Sequence, residues 1–300
     1  MDNKTIIETA QGRLNAATYS PKKLSFLHAA ITAAVPLLCA VLTHLLTGSM
    51  DAATGLAGLG TRTVLSFAQT LLMFAVTLGL PFWELGYTRA AILYAKGETA
   101  QPRDLLYGFR RFLPALSLML IRAFAVALTG FVCLQLAVMV FAMSPWATQA
   151  LQLMQQLGGV NNEEIMLSLQ AELTPVYGIW GILIIVALLF LYYRFRLADI
   201  YLLEGKRPIP ALYQSLRRTR YDWRQLVCLD FRFWLFYLGY FLCAALSYLD
   251  LALPYLGVRL NPEVAFWLFN ILGQIGNVAL LTLFAPKIQT AYAIFALDNG

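Results

Sequence analysis

Ionisable and amide side chains set inside long apolar stretches are the residues of this chain whose type and spacing could do chemistry. Arg122, Asp230 and Arg232 stand within such stretches, and Glu84 and Asp199 stand at their ends. Arg89, Arg194 and Arg196 lie close by in sequence. A charge near the middle of a bilayer costs about 2.5–3.5 kcal/mol on insertion scales, so each must face protein or water, or snorkel to headgroups. One reading is a water-accessible cavity that receives a polar or anionic group. The other is snorkelling and ion pairs that fix helix packing, with Arg122 within reach of Asp230 or Glu84. A second polar feature is the row Asn270, Gln274, Asn277, with Gly273 and Gly276 beside it. Spacings of four and three put these amides on one face of a helix. An amide finds no partner in lipid, so that face is expected to be buried, either as interhelical hydrogen bonding or as the lining of a transport route.

Other chemistry has no motif to carry it. There is no HExxH, GxxxxGK[ST] or GxSxG, and no GxGxxG joins a strand to a helix. His28 and His44 are 16 residues apart, which on a helix separates them by about 160° and puts them near opposite ends of one span. Helix contacts suit them better than a shared metal. Cys39, Cys133, Cys228 and Cys243 lie in apolar sequence without CxxC spacing and read as small hydrophobes. No catalytic, cofactor or metal residues are therefore assigned, and the expectation is a protein that is not an enzyme.

The elements that must position these residues follow from composition. Of 300 residues, 60% are hydrophobic and 13% charged, where a soluble domain has about 45–50% and about 25%. That excludes a soluble globular domain, a disordered chain and a disulfide scaffold. It predicts an all-α, polytopic transmembrane bundle. Six stretches have the roughly 20 apolar residues a crossing needs: near 24–46, 64–85, 113–143, 176–193, 226–249 and 264–285. The third is long, and a helix entering obliquely over 103–121 with a bend at Pro114 would leave a true span from about Arg122 to Met143. Within it, 104–112 is expected to be an amphipathic surface helix with Leu105, Leu106, Phe109 and Phe112 facing the membrane.

Lys and Arg are unevenly divided. Four precede the first span, five lie in the second loop, eight lie in the fourth and Lys287 follows the last, against only Arg62 and Arg259 on the other side. Both termini are therefore expected to be cytoplasmic, in a cell membrane. The net charge of +6 then points to anionic headgroups rather than nucleic acid. Trp83, Trp146, Trp180, Trp223 and Trp267 fall near span ends, as headgroup-level indoles do, and Trp234 lies deeper. The expected organisation is an N-terminal cytoplasmic amphipathic helix over 1–23, the bundle over 24–287, and a cytoplasmic tail over 288–300. Cytoplasmic hairpins are expected near 86–121 and 194–225. The external loop 144–175 is expected to carry short surface helices.

The two hairpins look alike. Gly97 and Pro102 are followed by Arg110-Arg111 and Arg122; Gly205 and Pro210 are followed by Arg217-Arg218 and Arg232. A duplication here would be parallel, about an axis along the membrane normal. From Tyr193 through Ala198, Tyr201, Pro208 and Ser215 to Leu229-Asp230 and Phe233, the chain resembles the bacterial integral membrane proteins grouped as domain of unknown function 975. Ala10, Leu14 and Tyr19 ahead of Pro21-Lys22-Lys23 resemble that family's start. The sequence departs from the family pattern at Thr219, Tyr221 and Arg232. The resemblance implies a multi-span fold and no established activity. Three function classes stay open: a non-catalytic module binding lipid or a membrane protein, a transport-type bundle (including the membrane subunit of an exporter with a separate nucleotidase), and an intramembrane enzyme acting on lipid.

Overall fold

In the computed structural model, the described residues are 1–52, 55–149, 152, 163–247, 249 and 261–298. They are helical, with no strand among them. Five helices are long and apolar enough to cross a membrane, or six if a bent pair, Pro208–Phe231 and Trp234–Ser247, forms one span. The chain divides into two compact units.

The first unit holds Met1–Ala115, Asp199–Arg207 and Asp222–Gly300. Its helix α1 (Asn3–Ala16) buries Asn3, Ile6, Ala10 and Leu14, the three-to-four spacing of an amphipathic stripe. Asp2 caps it by accepting the Asn3 amide. Long helices follow, α2 (Pro21–Ala52) and α3 (Gly55–Lys96), with Pro36 and Pro81 inside them. Each such proline removes a backbone donor, which is tolerated where neighbours re-satisfy the carbonyl it frees. After α3 come a 3-10 turn (Pro102–Leu106) and a single turn of helix, α4 (Tyr107–Arg110).

The core of this unit is concentrated towards particular helix ends. Leu24 of α2, Trp83, Tyr87 and Leu93 of α3, Leu105 and Ala285 pack in one buried cluster, with Leu14 of α1 among them. Further along α2 and α3 the large apolar side chains turn outward: Leu38 and Leu42, then Phe67, Leu71 and Phe74, are exposed. A contiguous apolar exterior of that size does not persist in water, and it fits helices whose middles meet acyl chains.

The second unit holds Leu116–Ala198 and Pro208–Tyr221. Most of it is α5 (Phe112–Ala142) and α6 (Glu163–Phe195). Ala137, Phe141 and Val176 form a small core with Trp180 packed against it. The Trp180 indole donates to the Gly130 carbonyl at 3.3 Å.

Several expectations are corrected. Pro114 does not bend a helix, and Arg122 lies ten residues inside a helix that starts at Phe112. Arg111 has broken geometry (φ −103°, ψ 35°) and α5 starts at Phe112, so Pro114 sits in the first turn, where a missing N–H breaks no bond. The surface helix over 104–112 is instead the 3-10 turn and the single turn α4, and Leu105 is fully buried while Leu106, Phe109 and Phe112 are exposed. Residues 163–175, expected in an external loop, begin α6, which runs through Pro175; 153–162 lie outside the described residues. The stretch after Lys287, expected as a cytoplasmic tail, is helical and packed. The last long helix continues to Leu297, and Tyr292, Ile294 and Phe295 are buried. The stretch expected as the fifth span is bent: α8 (Pro208–Phe231) and α9 (Trp234–Ser247), after a short α7 (Ala198–Leu203), meet at 67°. Trp83 is a packing residue rather than a headgroup indole, 9% exposed and donating to the His28 carbonyl.

Candidate functional site

The final helix, α10 (Pro262–Leu297), and the bend before α9 place the most deeply set carboxylate among the described residues. Asp230 is 7% exposed. Its Oδ1 accepts the Tyr237 hydroxyl at 2.5 Å and also the Tyr292 hydroxyl. Tyr237 is on α9 and Tyr292 on α10, so one carboxylate ties three helices. Hydrogen bonds to a carboxylate are stronger than neutral ones, and here they hold a bend that contains neither Pro nor Gly. The backbone tightens there: the Phe233 amide donates to the Asp230 carbonyl at 2.8 Å, and the Phe236 and Tyr237 amides restart the ladder on Phe233.

A second group of charges gathers where α3 and α7 end. Lys96 Nζ meets Glu204 Oε2 at 2.9 Å, and Arg89 Nη1 lies 3.9 Å from Glu204 Oε1. The Arg89 guanidinium sits over the Tyr107 ring, 5.1 Å from its centre. Glu84, exposed on α3, and Asp199, half-buried on α7, are near enough for their carboxylates to repel one another. Both helices end the same way. Gly97 and Gly205 have positive φ (81° and 96°). The Glu98 amide reaches back to the Leu93 carbonyl and Gly97 to Tyr94; Lys206 reaches Tyr201 and Gly205 reaches Leu202. These are paired Schellman closures, which need a residue tolerant of the left-handed region.

Arg122 belongs to the second unit, where its Nη2 donates to the Phe195 carbonyl at 2.7 Å. The sequence placed it beside Asp230 or Glu84, both of which belong to the first unit. Arg232 is exposed at the C-terminus of α8. Arg194 donates to the Leu216 carbonyl, and Ser215 donates to the Arg194 carbonyl at 2.6 Å.

The amide face of α10 is half-buried: Asn270, Gln274 and Asn277 are neither exposed nor fully enclosed. Beside them, a Cβ on Gly273 would strike Ser247, and one on Gly276 would strike Cys243. The two glycines thus let α9 close against α10. Asn277 Oδ1 is buried and has no hydrogen-bond partner among the described residues. His28 stacks on Tyr87 (4.3 Å, 8°), a helix contact; the side chain of His44 lies outside the described residues. Among the described residues, no group of three or more His, Cys, Asp and Glu is arranged to hold a metal.

Sequence reasoning missed Tyr237, Tyr292 and the Lys96–Glu204 pair. The matching Gly-to-Pro spacing was a signal for the pair, since each charged residue directly precedes its glycine. Nothing local signals Tyr292, which is 62 positions from Asp230. No family model matches the chain, and neither a curated protein nor a solved structure matches it.

Proposed function

We propose that the chain is a multi-pass protein of the cell membrane with both termini cytoplasmic, and that it acts without catalysis, as a helical module binding anionic lipid or a neighbouring membrane protein. Its resemblance to domain of unknown function 975 is part of this proposal. The observation that carries the module reading is the use made of the polar groups. Asp230 is taken up by two tyrosines that pin a bend, and the small face of α10 is shut by Cys243 and Ser247. Polar residues committed to packing are those of a scaffold rather than a route. The basic hairpins supply attraction to anionic headgroups, worth about 1 kcal/mol per Lys or Arg near the surface.

The transport-type reading, including an exporter subunit working with a nucleotidase, is favoured by one observation, the buried Asn277 Oδ1 that has no partner among the described residues. One substitution separates the two. In the module, Asn277→Leu removes an unsatisfied acceptor costing about 1–3 kcal/mol, so the thermal unfolding midpoint in detergent should rise. In a transporter, the same change should leave that midpoint in place and abolish solute flux in proteoliposomes. Orientation is tested separately by a fluorescent-protein fusion at residue 300, which fluoresces only if that end is cytoplasmic.

A further inference from the structure

The helix that leads into the bend carries its apolar and basic side chains on the outside. In the part of α8 that belongs to the first unit, Leu226, Leu229 and Asp230 are buried. At 100° per residue these three share one side of the helix, while Arg224, Cys228 and Phe231 fall within about 60° of arc on the opposite side and Trp223 lies on the flank between, next to Asp230. Trp223, Arg224, Cys228 and Phe231 are exposed, Phe231 at 76% and Trp223 at 50%. Arg224 lies over the Trp223 ring at 5.6 Å. Across the bend, Arg232, Trp234 and Leu235 are exposed as well. Asp222 and Asp230 are the acids of this segment, half-buried and buried respectively, so the charge presented outward is positive.

Water is a poor neighbour for such a face, and pure hydrocarbon is a poor neighbour for its guanidinium groups. Trp with Arg is the combination that settles at the headgroup level, the ring in the boundary and the charge on phosphate. The 67° bend turns the chain away from the axis of α9, which itself shows Leu238, Phe241 and Leu242 to the outside. We propose that the segment Asp222–Phe231 is an in-plane helix of the headgroup layer, with Arg224 and Arg232 binding phosphodiesters of anionic phospholipid and Phe231 and Trp234 entering the acyl boundary. This rests on the chain being a membrane protein, and it replaces a straight fifth span with a surface helix feeding a bend.

The test uses the full-length protein in nanodiscs of phosphatidylcholine with or without phosphatidylglycerol. In a Cys243→Ser background, a spin label is attached at Cys228, the exposed cysteine among the described residues. Collisions with oxygen and with a water-soluble nickel chelate should place the label at the boundary of headgroups and acyl chains. The Arg224→Gln/Arg232→Gln variant should bind phosphatidylglycerol about fivefold more weakly per arginine in a native mass-spectrometry titration. Nickel access exceeding oxygen access would put the helix in water, and exclusion of both reagents would put another protein or a second copy over it. Either result overturns the proposal, as does unchanged lipid affinity in the double variant. Failure of the underlying reading is separate: alkaline carbonate would then release the chain from membranes.

Discussion

The segments that follow Gly97 and Gly205 begin alike and end differently. Each starts with a glycine-closed helix end and reaches a proline five residues later (97 to 102, 205 to 210). The first then folds back on its own helix. Gly86 lies against the Leu105 backbone and Gly108 against the Phe82 carbonyl, so closely that no Cβ fits at either. The second runs on into α8, which has non-helical geometry at Asp222 (φ −109°, ψ 17°) and kinks there. In the register that aligns the two glycines, Arg194 stands where the first segment has Gly86, and Leu216 stands where it has Gly108. Those two are joined by a hydrogen bond, Arg194 to the Leu216 carbonyl, with Ser215 closing the other direction. One layout is thus secured by two kinds of contact: backbone on glycine in the first case, and side chain on carbonyl in the second. A small-residue joint holds only at contact distance, whereas a hydrogen-bonded joint keeps room for side chains and leaves the following helix free to extend.

The sharpest way to break that contrast is at the glycines. Gly108→Ala and Gly86→Ala drive a methyl into backbone that cannot step aside, and overpacking of this kind costs about 1–3 kcal/mol. Each should lower the unfolding midpoint in detergent despite the better helix propensity of Ala, and an unchanged midpoint would mean the close approach is not real. Asp230→Ala comes next. It strands two tyrosine hydroxyls at about 1–3 kcal/mol for a buried donor, and Tyr292→Phe should recover part of that loss by removing one of them. Ser215→Ala tests the second joint and should cost about 1 kcal/mol, read in the same melt. The smallest effect belongs to Lys96 and Glu204. Their pair is partly exposed, so Glu204→Gln should cost under about 1 kcal/mol, and the exchange Lys96→Glu/Glu204→Lys should restore stability at low salt.

Much of this was legible in the residues themselves. The buried stripe of α1 is written in the spacing of Ile6, Ala10 and Leu14, and the two glycine closures in the recurrence of Gly and Pro. The break at Arg232–Phe233 was not legible, because no Pro or Gly marks it. It depends on a carboxylate meeting a hydroxyl seven residues ahead and another from α10. Burial of residues 288–297 was hidden for a similar reason. The charge of Lys287 resembles the end of a span, and only the partners around Tyr292 and Phe295 reveal a core. Trp83 misled in the same way, since an indole near a span end has the same local sequence whether it meets headgroups or the His28 carbonyl.

Local chemistry determined the helices of this protein. Apolar runs of the right length, glycines at helix ends and prolines in first turns act within one or two turns of backbone, so the residues alone decide them. Which polar groups are used for packing, and where a long helix folds back or bends, was decided only in three dimensions. Asp230 finds its hydroxyls, and Gly86 and Gly108 their backbone contacts, from residues that chain order does not bring beside them. In apolar surroundings the cost of an unmet polar group makes those long-range pairings the deciding term.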